Sequence, residues 1–334
     1  RPDSVFVSDF GFEQAELCLV DIFAVKKRFL IFCWEDRRMK RFTAAALQFS
    51  PVPMDADANM KKAESMIAEC VRTCGAELIV LPESFTTGFT PAVPKERLWE
   101  AIEPMPGAWT EEAAAWSRKY GTYIIFPSYE KGPDGIIWNS AALIGPKEGF
   151  IGAYKKTHPF PTERLANGTG WTTPGNDPFC VQTEIGKIGI VICYDGDFPE
   201  LVRVTALMGA EVVVRPSAFF RTFDHWELTN RARAYDNHVY MVASNVAGYD
   251  ASGDYCFGGS MIVSPTGVKL AQARGTEEYV WASLDPEPIK TIYPNSSAKM
   301  EFDHIEDRNI GVYRTILQEG KSAFEPARRI PYKR

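Results

Sequence analysis

The sequence predicts an α/β protein built of stacked layers, on three observations. Short apolar runs rich in β-branched residues alternate with longer segments whose apolar residues recur at helical spacing. The text GAELIVLPES at 75–84 returns as GAEVVVRPSA at 209–218, which suggests two related strand-helix-strand halves. The composition, 45% hydrophobic and 24% charged over 334 residues, suits a chain that buries a large core, and it excludes disorder and collagen-like repetition.

In residues 1–41, charges such as Lys26, Lys27, Arg28, Arg37 and Arg38 interrupt every apolar run, so this segment is expected to be an N-terminal extension. It shows no apolar core followed by a small-residue cleavage site, and no targeting role is expected. Thr43–Phe49 reads as a strand. Asp55 or Asp57 then caps a helix whose Met60, Ala63, Ile67, Cys70, Val71 and Cys74 lie at helical spacing, and Gly75 stops it. Glu77–Leu81, ended by Pro82, has the pattern of a strand buried on both faces. A helix near Thr110–Tyr120 follows, then strands near Thr122–Ser128, Ile137–Ile144 and Phe150–Tyr154, and a Gly/Thr/Pro-rich loop over Ala166–Pro178. Lys187–Cys193 reads as an apolar strand, Pro199–Met208 as a helix with Pro near its start, and Glu211–Val214 as a strand. A helix over Asp224–Tyr235 and strands near His238–Val246, Gly258–Val263 and Glu278–Leu284 complete the body, taken as residues 42–285. Residues 286–334, rich in Pro and charge, are expected to form a C-terminal arm lying on the body or on a partner subunit.

A net charge of -6 with both signs scattered leaves no basic stripe to neutralise phosphates, so no nucleic-acid partner is expected. The longest stretch free of charge, Tyr255–Val268, is too short and polar to span a membrane. Seven cysteines (Cys18, Cys33, Cys70, Cys74, Cys180, Cys193 and Cys256) are odd in number and dispersed without CxxC spacing, which points to a reducing, cytoplasmic compartment.

Cys193 ends a strong strand and precedes a turn and a Pro-initiated helix. Such a turn projects a side chain outward, and nearby backbone N–H groups favour a thiolate or an oxyanion. The alternative is a buried structural thiol. Of the four histidines (His158, His225, His238 and His304), none has surroundings that favour a Cys–His dyad. Glu83 ends a buried strand at the edge where α/β sheets place their sites, so it is a candidate base or, alternatively, a loop carboxylate or helix cap. Lys156, after another strand, is a candidate positive charge for a carbonyl oxygen or else a solvated surface lysine.

Glu83, Lys156 and Cys193 in that order resemble the nitrilase, or carbon–nitrogen hydrolase, superfamily. The resemblance covers about residues 43–285. Its carriers are ALQFSP, LIVLPESFTTGF around Glu83, YKKTHPF around Lys156, GIVICYDGDFPE around Cys193, RARAYDNHVYMVASN at 231–245 and FGGSMIVSPTG at 257–267. It implies a four-layer α-β-β-α sandwich with two mixed β-sheets. It also implies Glu83 as general base, Lys156 as oxyanion-stabilising lysine, Cys193 as nucleophile, Glu163 as a second, orienting glutamate and the Tyr194 amide as a further oxyanion donor. It implies neither a metal nor an organic cofactor. A homodimer or higher homo-oligomer is expected, paired through the region after Pro199 and the tail after Asp285.

Nitrilases of this family usually follow the nucleophile with Trp-Glu, whereas amidases and carbamoylases carry Asp two residues after it, where Asp195 stands here. FCWED at 32–36 lacks the strand and helix context of the nitrilase signature. The expected activity is hydrolysis of a small-molecule linear amide to acid and ammonia through a cysteine thioester. N-carbamoyl hydrolysis is the alternative, then nitrile hydrolysis, then a silent scaffold. THPFPTER lacks the Trp-rich loop of short-chain amidases. Tyr194, Asp195, Arg215 and Phe219 are the candidate substrate contacts, with Arg215 equally readable as a partner of Asp197 or Glu200. Phe160, Trp171 and Phe220 are further candidate pocket walls.

Overall fold

A computed structural model describes residues 39–91, 93–164, 171–250, 253–286 and 303–318. Most of the expected extension, positions 166–170 of the loop and much of the arm lie outside the described residues. One sheet holds β1 (Phe42–Gln48), β2 (Leu78–Val80), β3 (Tyr123–Lys131), β4 (Ile137–Gly145), β5 (Gly149–Lys155) and β14 (Glu278–Leu284). The other holds β6 (Phe179–Gln182), β7 (Lys187–Ile190), β8 (Val212–Ser217), β9 (Tyr240–Asn245), β12 (Met261–Val263) and β13 (Lys269–Gln272). A small hairpin, β10 (Ala247–Tyr249) and β11 (Tyr255–Phe257), stands apart from both.

The orders are β14-β1-β2-β3-β4-β5 and β13-β12-β9-β8-β7-β6. From the β14 edge the first sheet pairs antiparallel, parallel, parallel, antiparallel, antiparallel, and the second does the same from β6. The repeated GAE text therefore falls on β2 and β8, which occupy the same place in the two sheets. Parallel neighbours need crossovers. These are α1 (Ala56–Cys74) between β1 and β2, and α3 (Ala108–Tyr120), preceded by the short α2 (Lys95–Ala101), between β2 and β3. In the second half α5 (Pro199–Leu207) and α6 (Phe223–Asn237) do the same.

The period-two alternation of a strand sorts side chains into the layers. Ala44 and Ala46 of β1 join Ile188, Val212 and Val214 between the sheets, whereas Ala45 and Leu47 meet Met60, Ala63 and Ile67 of α1 and Trp116 of α3. Leu201 and Val202 of α5 and Trp226 of α6 belong to the cluster that includes the second sheet. The result is an α-β-β-α sandwich. Strands buried on both faces are largely apolar, which explains their legibility. Asp55 caps α1 by accepting the Ala58 N–H at 3.0 Å, and Gly75 closes it at φ 65°.

Several expected boundaries differ. β7 ends at Ile190 rather than Cys193, because Cys193 has φ 45°, which no strand ladder accommodates. β9 starts at Tyr240 because His238, at φ 51°, forms the left-handed cap of α6. Gly258 and Gly259, at φ 72° and 71°, stay outside β12. The sequence reading omits β6, β10, β11, β13 and α2. These elements are short and partly exposed, so they carry little apolar signal. Within the expected arm, the His304 carbonyl accepts from Arg203 of α5 at 2.9 Å, and the His304 N–H donates to His238 Nε2 at 3.0 Å. Among the described residues, no helix is long and apolar enough to cross a membrane.

Candidate active site

Strand ends bring the candidate residues together. Glu83 stands just beyond β2, after a proline that lacks a ladder donor. Its Oε2 accepts the Ala218 N–H at 2.7 Å, joining the ends of β2 and β8. Its Oε1 accepts from Lys156 Nζ and from Asn139 Nδ2, each at 2.7 Å. Lys156 directly follows β5, and its Nζ also donates to Glu163 Oε2 at 2.6 Å. Glu163 lies on the helical turn α4 (Pro161–Arg164); its Oε1 accepts from Asn139 Nδ2 at 2.7 Å and its Oε2 from the Phe160 N–H at 2.8 Å. Lys156 and Asn139 thus each bridge both carboxylates, closing a ring of four fully buried side chains.

Two carboxylates share one ammonium in this ring. Burial opposes the Lys156 charge, but Glu163 and Glu83 outweigh it and hold the ammonium above the ordinary lysine range. Burial raises the Glu163 carboxyl, against the pull of Lys156 and with the help of Glu83. Burial, aided by the Glu83 charge, also raises the Cys193 thiol, while Lys156, Arg215 and the Ala218 amide oppose the rise. At neutral pH the sulfur keeps its proton until a base removes it.

Cys193 sits on a turn with left-handed backbone, costly for a residue with a Cβ. Neighbouring bonds hold it there. Asp195 Oδ2 accepts the Ile192 N–H at 2.9 Å and the Tyr154 hydroxyl at 2.8 Å, while Oδ1 accepts the His158 N–H at 2.9 Å. The turn is thereby tied to the segment bearing Lys156. Beneath it Arg215 Nε donates to the Cys193 carbonyl at 2.8 Å, and its Nη1 donates to Thr229 and Asn230 at 2.8 and 2.9 Å. A Cβ on Gly196 would lie 2.2 Å from the Arg215 guanidinium carbon, so glycine is what admits the arginine. Burial lowers Arg215 to about 10, which leaves it cationic at neutral pH.

Cys193 is 7% exposed, under a wall of Phe89, Phe160, Ala218, Phe219, Phe220 and Arg221. The space enclosed is about 10 Å³, room for about one water. Of the candidate substrate contacts, Phe219 lines this cavity. Tyr194 stacks edge-on to Phe160, with centroids 5.2 Å apart. Asp195 and Arg215 are fully buried and bonded to the backbone of the turn that carries Cys193. Trp171 is also away from the cavity: it packs on Tyr129 and donates to the Pro91 carbonyl at 3.3 Å. The sequence reading passed over Asn139, Phe89 and Arg221. Asn139 left one signal, a polar amide beside Ser140 inside a largely apolar strand. Among the described residues, no cluster of His, Cys, Asp and Glu is arranged to hold a metal ion.

Comparison with known proteins supplies the family. The family model described as carbon-nitrogen hydrolase matches residues 43–293. The chain is 31% identical over 261 residues to "Omega-amidase NIT2" of Xenopus tropicalis, covering 76% of this chain and 92% of the relative. It is 36% identical over 239 residues to "Nitrilase" of Pyrococcus abyssi, covering 71% and 86%. The crystal structure of Nit3 from Saccharomyces cerevisiae, a nitrilase-superfamily member, matches with TM-score 0.68 and 27% identity, covering 78% and 96%. With its two-sheet sandwich and this extent of likeness, the chain belongs to the carbon–nitrogen hydrolase family of the nitrilase superfamily.

Proposed function

We propose that the protein is a thiol amidase that cleaves a small linear amide to its acid and ammonia. Glu83 takes the Cys193 proton, and the thiolate adds to the amide carbonyl, forming the C–S bond as the C=O pair moves onto oxygen. The Lys156 ammonium and the Tyr194 N–H stabilise that oxyanion. Collapse breaks the C–N bond, Glu83 passes its proton to the nitrogen, and ammonia leaves a thioester. Water then gives a proton to Glu83 and adds to the thioester; collapse expels the thiolate, which recovers the proton as the acid departs. Glu163 and Asn139 are positioning residues that act through Lys156 and Glu83.

The observation that carries this reading is a buried Glu-Lys pair at 2.7 Å, both of whose charges act on a thiol held on a left-handed turn. An ammonia-release screen over aliphatic amides, N-carbamoyl amino acids and nitriles tests it. Amides should release ammonia, and Cys193→Ala should reduce release to background. Release confined to N-carbamoyl compounds, or undiminished turnover by Cys193→Ala, would overturn the reading.

A homodimer is proposed across α5 and the turns at 310–317. Val204 and Leu207 are exposed there, and Ile310 and Leu317 stand 73% and 92% exposed. A single monomer peak in size-exclusion chromatography at micromolar concentration would sink this proposal. The dispersed free thiols suit a reducing, cytoplasmic setting.

A further inference from the structure

Two imidazole rings join the expected arm to the end of α6. His238, in the left-handed cap of α6 at φ 51°, is buried, and the His304 ring stacks on it with centroids 4.4 Å apart and planes 28° apart. The His304 N–H donates to His238 Nε2 at 3.0 Å, so the neutral His238 ring carries its proton on Nδ1. His304 has further ties to the body. Its carbonyl accepts from Arg203 Nη1 of α5 at 2.9 Å, its Nδ1 lies 3.3 Å from the Tyr235 carbonyl, and the Tyr235 ring meets its ring edge-on at 5.0 Å. Beyond it, Ile310 and Leu317 line a groove with Val204 and Leu207 of α5.

Of these contacts, the bond to His238 Nε2 requires a neutral ring. Once protonated, Nε2 is a donor and faces the His304 N–H, which is also a donor. A proton on His304 breaks none of the bonds above, since its N–H and Nδ1 still donate and its carbonyl still accepts. Charges face His238 from three elements. On the arm His304 opposes a second charge in the stack and Asp303 favours one; Arg203 of α5 opposes it and Asp236 of α6 favours it. Both carboxylates are engaged elsewhere: Asp303 Oδ1 accepts the Ile305 and Glu306 N–H groups at 2.7 and 3.2 Å, and Asp236 pairs with Arg233 at 3.5 Å. Burial is the largest influence, and it holds His238 below the ordinary histidine range.

We propose that His238 is the proton sensor of a latch that holds residues 303–317 against α5 and α6 at neutral pH and releases them on acidification. The sign follows from the two states. When His304 leaves, His238 is uncovered and binds a proton near the ordinary value of about 6.5, whereas the latched ring resists one. The latch is fully held above that value. It weakens as pH falls, by up to about tenfold per pH unit, until the latched ring is protonated as well. Release carries Ile310 and Leu317 away from the apolar face of α5. The latch stands independently of the amidase reading.

Hydrogen exchange of the full chain, read by mass spectrometry from about pH 7.5 to about pH 5.5 across the ordinary histidine value and corrected for the intrinsic pH dependence of amide exchange, tests the proposal. Peptides over residues 303–317 should lose about 10-fold of their protection, while peptides over β8 keep theirs. His238→Gln, whose amide oxygen accepts an N–H without titrating, should remove the pH dependence. His304→Gln should retain it, because the His238 acceptor and the backbone donor at 304 both remain. Constant protection over 303–317, an equal loss in β8, or a pH dependence that survives His238→Gln would overturn the proposal. A pH dependence abolished by His304→Gln would also overturn it, by moving the sensor to His304. If His238→Gln does not fold by circular dichroism, the wild-type and His304→Gln series decide by the same criteria.

Discussion

The two halves of the molecule share one strand order and one local text, yet they place opposite kinds of residue at matching positions. In the text ending β2, Leu81 and Glu83 align with Arg215 and Ser217 of the text ending β8. Leu81 is buried among Phe49, Phe85 and Phe126. Arg215 is just as buried, but it is surrounded by the Cys193 carbonyl, Thr229 and Asn230. Two positions later the first half carries the carboxylate of the buried ring, while the second offers backbone. The Ser217 carbonyl accepts the Glu83 N–H at 3.4 Å, and the next amide, Ala218, donates to Glu83 Oε2. The difference teaches that the repeated strand sets only where a side chain emerges. Whether a charge is tolerated there depends on partners from other elements, since a buried charge without hydrogen bonds is costly.

Exchanging the matched residues breaks the comparison most severely at Glu83. Glu83→Ser makes the first half like the second and removes the base, so kcat should fall by about 1,000-fold, with the folded structure retained by circular dichroism. Arg215→Leu makes the second half like the first. It strips the donor from the Cys193 carbonyl and from Asn230, and should cost about 3 kcal/mol in denaturant unfolding. If the variant is as stable as wild type, the buried arginine is not what supports the turn.

Asn139→Leu asks whether the ring needs its second bridge. Both carboxylates lose a donor, and kcat should drop by about 10- to 100-fold with KM little changed, as for a misplaced reacting group.

The smallest expected effect is in pH dependence. Burial holds the Glu163 carboxyl above its ordinary value. Between the ordinary and raised values the folded chain keeps a proton that the unfolded chain has released, so this group's contribution to stability falls as pH rises. Glu163→Gln should remove that slope, seen as the difference between wild-type and variant melting temperatures across the acidic range. Parallel curves would show that Glu163 does not titrate this way.

Much of the layering was legible because its strands are buried on both faces, and Glu77–Leu81 and Glu211–Val214 are apolar after their first residue. The edge strands β6 and β13 escaped because each is only four residues long and partly exposed. Among the candidate site residues, Glu83, Lys156 and Cys193 stand beside strand ends, where motif and spacing single them out. Asn139 and Arg221 do not, because an amide within a strand and an arginine after one acquire meaning only from what they meet.

By itself the sequence determined the α/β alternation, the caps of α1 and the order in which glutamate, lysine and cysteine follow their strands, all consequences of local sterics and of hydrophobic periodicity. Tertiary structure alone decided that Lys156 and Asn139 would each join two carboxylates, that Asp195 and Arg215 would hold the cysteine turn, and that Arg221 would close the cavity. Those outcomes depend on contacts between segments distant along the chain, and hydrogen bonds and charges become strong only when the packed sheets have removed water from around them.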